Sequence, residues 1–156
     1  MSRIGFLVNP IAGMGGRVGL KGTDGVAAEA ERRGAERVAH GRALEMLAAF
    51  KRLLADELRP PVVEWLTADG DMGSDALRNA GFAAIEIVPR ASGASSALDT
   101  KAAVERFLAA GVDLVLFCGG DGTARDVCSV AGETTPILGI PAGVKMYSGV
   151  HSGAHR

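Results

Sequence analysis

The stretch Leu114-Val115-Leu116-Phe117-Cys118-Gly119-Gly120-Asp121-Gly122-Thr123 decides how this chain folds. Four apolar residues and a cysteine form a continuous run, the pattern of a strand buried on both faces. The run stops abruptly in glycines, which places a tight turn at the strand's carboxyl end. Thr123 and Asp126 then stand in the Thr-x-x-acid spacing of a helix start, so a strand over 113–118 leads into a helix over 124–130. The turn holds one carboxylate, Asp121, among residues with almost no side chains. Glycines let a ligand approach the backbone, and the N–H groups of a helix N-terminus favour an anion. A carboxylate beside a phosphate repels it unless a metal ion or a hydroxyl lies between them, an arrangement that suits phosphoryl transfer. The simpler alternative is a βα turn with glycine for geometry and Asp121 as a local cap.

Toward the N-terminus, Ile4 to Val8 reads as a first buried strand, ended by Asn9-Pro10 because proline cannot donate to a ladder. Ile11 to Gly25 carries glycines at 13, 15, 16, 19, 22 and 25, a long loop of the kind that is often functional. It is not a dinucleotide fingerprint, since Val18 stands where glycine is needed, nor a phosphate loop ending in Gly-Lys-Ser/Thr. Arg17 and Lys21 are either phosphate contacts or solvated loop charges. Helices are expected over 26–33, closed by Gly34, and over 42–58, where Leu44, Leu47, Phe50, Leu53, Leu54 and Leu58 form a one-sided core stripe. A second strand over 62–66 leaves Trp65 half-buried, and Asp69 and Asp71 read as turn chemistry rather than a metal pair. A short helix over 74–79 capped by Ser74, a strand over 84–88 and a small-residue loop over 90–96 follow. A helix then runs from a cap at Asp99 or Thr100 to Ala110. A fifth strand over 136–140 ends in Pro141-Ala142-Gly143. Strands alternating with helices throughout predict an α/β fold, a parallel sheet with helices on both faces. Ligands bind such sheets beyond the carboxyl ends of the strands, so three loops distant in sequence are expected to meet at one crevice.

A length of 156 residues, 47% of them hydrophobic, suits one domain with a sizeable core. A formal net charge of −1 gives no electrostatic case for nucleic acid or an anionic membrane. The 22 glycines are about twice ordinary usage and sit largely in loops after strands, as phosphate-handling α/β proteins need. Cys118 and Cys128 read as small buried apolar residues, with no disulfide framework or metal spacing. No signal peptide or bilayer-spanning run is visible, and a cytoplasmic protein is expected.

Three stretches carry a family likeness: Asn9-Pro10-Ile11-Ala12-Gly13-Met14-Gly15-Gly16, then Gly119-Gly120-Asp121-Gly122-Thr123, then Gly139-Ile140-Pro141-Ala142-Gly143-Val144-Lys145-Met146-Tyr147-Ser148-Gly149-Val150. Together they resemble the ATP-NAD kinase-like family, also described as predicted polyphosphate/ATP-NAD kinases, within the wider superfamily of NAD, diacylglycerol and sphingosine kinases. The likeness runs from Arg3 to Val150, so 1–150 reads as the N-terminal nucleotide-binding domain and 151–156 as a tail. It implies phosphoryl transfer from ATP or polyphosphate to a ribose hydroxyl of NAD. Asp121 would be the general base, directly or through Mg²⁺. The nucleotide cleft would be lined by Asn9, Gly13, Gly16, Gly119, Gly120, Gly122, Thr123 and Lys145. Gly120 is expected either to take a positive φ or to admit a phosphate, and Thr123 to cap its helix. Lys145 reads equally as a solvated lysine at a helix start, and His151 and His155 as part of a frayed tail. Relatives continue into a β-rich domain that helps build the acceptor site. Residues 1–156 alone are therefore expected to bind nucleotide weakly, transfer little phosphate and self-associate through the uncovered surface. Two alternatives stand beside this reading. A lipid or sphingoid kinase is disfavoured by the Gly-Ile-Pro-Ala-Gly-Val-Lys-Met-Tyr stretch and by the lack of a membrane-seeking segment. A non-catalytic nucleotide-binding module is the other.

Overall fold

The structure, a computed structural model, describes residues 1–14, 38–90 and 96–143. Within them the chain forms β1 (Ser2–Val8), α1 (Ala39–Ala55), β2 (Val63–Ala68), a single 3₁₀ turn (Gly70–Met72), α2 (Ser74–Asn79), β3 (Ile85–Val88), α3 (Ala97–Ala109), β4 (Leu114–Gly119), α4 (Asp121–Ala131) and β5 (Ile137–Pro141). The expected alternation of strands and helices is present. The five strands make one sheet in the order β3-β2-β1-β4-β5, with every pairing parallel. The chain thus builds outward from β1 through β2 to β3, then returns to lay β4 and β5 on the other side of β1. That reversal puts the switch in strand order between β1 and β4, where Val8 pairs with Cys118.

Alternation along the central strands divides the core into two layers, because successive side chains of a strand point to opposite faces. Ile4, Phe6 and Val8 of β1, with Trp65, Leu116 and Cys118, pack against Ala39, Ala43 and Leu47 of α1 and Ala76 and Leu77 of α2. Leu7, Leu66, Val115 and Phe117 pack on the other face with Ala103, Val104 and Phe107 of α3 and Ala124, Val127 and Ala131 of α4. Both faces are covered, as the unbroken apolar runs require. Gly5 lies under α3, and a Cβ there would fall 2.6 Å from Phe107 Cδ2, so glycine sets how closely that helix approaches.

Local signals were kept in some helices and overridden in others. At α3 the cap is Ser96, not Asp99 or Thr100. The Ser96 hydroxyl accepts from the Asp99 N–H (3.3 Å) and donates to the Asp99 carboxylate (2.7 Å), a reciprocal pair that closes the first turn. Ser74 likewise lies inside α2 rather than capping it, with Gly73 at the N-cap. In α1 the helix starts and ends three residues before the expected bounds, and its first turn has no side-chain cap. Its buried stripe is Ala39, Ala43 and Leu47, with Leu44, Met46 and Phe50 against it, while Leu53 and Leu58 are exposed. Small alanines at the start let the helix lie close on the sheet, and packing rather than capping fixes its position. Trp65 is fully buried, not half-buried, because Phe6, Phe50 and Phe82 surround its ring with centroids 5.0–5.9 Å away. Among the described residues no helix is long and apolar enough to cross a membrane.

Candidate functional site

The carboxyl ends of β1, β4 and β5 come together at the switch in strand order. The Asn9 N–H donates to the Cys118 carbonyl (2.9 Å), and the Ala142 N–H donates to the Gly119 carbonyl (3.0 Å). The loops after β1 and β5 also meet directly. Gly13 has φ +82°, and a Cβ there would collide with the Ala142 carbonyl oxygen, so glycine is required both by conformation and by the close approach. Gly143 continues this contact, a Cβ there lying 3.6 Å from Gly13 Cα. The expected convergence of three loops distant in sequence is therefore what the backbone shows.

The Gly-Gly-Asp-Gly-Thr turn forms the floor of this junction, and its residues differ in role. Gly119 ends β4, and a Cβ on it would fall 2.7 Å from Thr123 Cγ2, so its bareness serves internal packing. Gly120 is the N-cap of α4 with φ −112° and ψ −164°, an extended conformation open to any residue. A Cβ there would meet nothing within 4 Å. The expected positive φ is absent, and what glycine leaves at this position is open space beside the backbone. Asp121 is the half-buried first residue of α4, and Gly122 is its second. Its position puts a carboxylate at the positive end of the helix, where the first N–H groups lack intrahelical partners.

Thr123 does not cap α4, which begins two residues earlier with no side-chain hydrogen bond at its N-cap. The hydroxyl instead accepts from Asn9 Nδ2 at 3.0 Å, across 114 residues of sequence. No spacing rule foretells that pairing, because it depends on β1 and β4 being neighbours. Gly16, Arg17, Lys21 and Lys145 lie outside the described residues, as do the expected helices over 26–33 and from Lys145 and the histidines at 151 and 155.

Several described polar groups on the neighbouring loops are tied into the fold. Asp69 accepts from the Gly70 N–H at 2.9 Å within the turn after β2, and Asp71 pairs at 2.8 Å with Arg90, just past β3, which ties the two loops together. Cys118 lies just behind the glycine turn, and burial pushes its thiol up to about 12, with Arg42 partly opposing. Its sulfur contacts the Ala39 carbonyl at 3.4 Å. Cys128, expected to be buried, is exposed on α4. Among the described residues no three His, Cys, Asp or Glu side chains gather into a metal cage. One carboxylate beside the open backbone of Gly120 is nevertheless a set that suits Mg²⁺, which commonly binds through one or two carboxylates, water and substrate phosphates.

A family model described as the ATP-NAD kinase N-terminal domain matches residues 4–155. No curated protein and no solved structure matches the chain.

Proposed function

The chain belongs to the ATP-NAD kinase N-terminal domain family, a family of phosphotransferases, and from that premise we propose that it binds ATP at the β1/β4 junction and serves transfer of its terminal phosphoryl group to a ribose hydroxyl of NAD. The observation that carries this reading is the open backbone of Gly120 followed at once by Asp121 on the first turn of α4. In this reading the N–H groups around Gly120 and Gly122 receive phosphate oxygens, with Gly13 and Gly143 forming the facing wall. Gly16 and Lys145 remain proposed contacts from the family likeness.

Asp121 acts as general base. Its carboxylate takes the proton of the acceptor hydroxyl, the oxygen forms a bond to the terminal phosphorus, and the bond to the bridging oxygen breaks, leaving ADP. Mg²⁺ bound with the phosphates would neutralise charge and relieve their repulsion from Asp121. The helix N-terminus stabilises charge that builds on the phosphoryl oxygens, and the glycines let the reacting groups come close. Polyphosphate offers the same terminal group and is the alternative donor.

The test is thermal unfolding with ATP, polyphosphate, NAD and NADP, beside a coupled assay for NADP formation. A ligand at 100 times its Kd adds about 2.7 kcal/mol, roughly 5–10 °C for a domain of this size. No shift with either donor, together with no NADP formed, would overturn the assignment.

A further inference from the structure

We propose that Thr123 is a positioning residue, which acts on the site by clamping Asn9 rather than by touching nucleotide. The Asn9 side chain is used at both ends. Its Nδ2 donates to Thr123 Oγ1 at 3.0 Å, and its Oδ1 accepts from the Ile11 N–H at 3.3 Å. The second contact fixes the orientation of the amide, since a flipped group would face one donor with another. The Asn9 backbone is equally committed, with its N–H on the Cys118 carbonyl and its carbonyl on the Ala12 N–H (3.1 Å). Thr123 is 3% exposed. Its side chain fills the space that a Cβ on Gly119 would need, so the first glycine of the turn is what admits the hydroxyl to this place.

Three residues thus form one device. Gly119 makes room, Thr123 presents a buried oxygen from the first turn of α4, and Asn9 ties the loop after β1 to it. The loop that carries Gly13 is held against the helix N-terminus by this bond. Among the described residues this bond joins the side chains of that loop and of α4 directly, in addition to the strand ladder and the contact of Gly13 with the loop after β5.

The experiment measures backbone amide exchange at Ile11 and Ala12, and ATP affinity by calorimetry, in Thr123→Val, Thr123→Ser, Asn9→Ala and the Thr123→Val/Asn9→Ala pair. Valine keeps the shape and deletes the oxygen, while serine keeps the oxygen. Thr123→Val is expected to speed exchange at Ile11 and Ala12 and to weaken ATP binding, each by about tenfold, the size of one lost hydrogen bond. Thr123→Ser restores both to within about twofold, and the double variant matches Asn9→Ala alone, because coupled partners do not add. Unchanged exchange in Thr123→Val overturns the clamp. So do affinity losses that multiply in the double variant, which would make each side chain an independent ligand. The affinity readings rest on the nucleotide assignment, whereas exchange does not. A wild-type chain that binds no ATP sinks that assignment and leaves exchange to decide the clamp.

Discussion

Single residues of the glycine turn separate chemistry from architecture. Asp121→Asn keeps the size of the side chain and removes its charge and basicity. Turnover is expected to fall by at least about a hundredfold, within the range for loss of a general base, while the unfolding midpoint stays near wild type. Near-normal NADP formation by this variant would exclude Asp121 as the base. The glycines make a sharper comparison. Gly120→Ala places a methyl in open space on an extended backbone, so the fold should tolerate it while ATP binding suffers. Gly13→Ala forces a Cβ onto a left-handed residue and into the Ala142 carbonyl, and is expected to destabilise by about 1–3 kcal/mol. Urea unfolding should separate the two variants, with a clear loss of stability in Gly13→Ala and little in Gly120→Ala, while calorimetry should show weaker ATP binding in both. From sequence these two glycines look alike. Only the approach of the β5 loop tells them apart, and that approach belongs to tertiary structure.

At the level of elements, the sequence was most readable where burial alone sets the pattern. The apolar runs at 4–8 and 114–118 place β1 and β4 to within two residues, since a strand covered on both sides has no other way to look. Helix starts were less readable, because a hydroxyl serves either its own backbone or a distant partner. Ser96 caps its own helix, whereas Thr123 in the same kind of spacing is recruited by Asn9, and α4 starts at Asp121 instead. The stripe assigned to α1 shifted for a related reason: alanines at 39 and 43 are buried by closeness to the sheet, and hydrophobicity alone ranks Leu53 and Leu58 above them. The seating of α3 gives a test at this scale. Gly5→Ala drives a methyl into the Phe107 ring and should cost about 1–3 kcal/mol as overpacking. Phe107→Leu in the same chain should recover part of that loss, read from urea midpoints. Losses that simply add would show that Phe107 is not what limits the approach.

For the whole molecule, the α/β architecture with helices on both faces of a parallel sheet follows from the alternation, but the strand order does not. Alternation fixes which elements exist, while the side of β1 on which β4 lies depends on how two amphipathic layers share the sheet. The buried layer also shapes the response to alkali. The Cys118 thiol stays protonated in the folded protein up to about 12, against 9.0 when exposed by unfolding. The unfolded chain therefore loses the proton first, so this contribution is complete below 9.0 and is lost as pH rises toward about 12. The stability difference between wild type and Cys118→Ala should be constant below that window and move steadily in the variant's favour within it. A difference that stays parallel across the range would show that burial does not hold the thiol neutral. The central position of β1 has a further consequence, in time rather than space. Asn9 is made well before its partner Thr123, which follows 114 residues later. At roughly 5–20 residues per second that is a wait of about 6–23 s on the ribosome. Throughout it the edge of β1 that β4 will cover stands bare, and the proposed nucleotide site cannot guide the early half of the chain, because it is incomplete until β4 arrives.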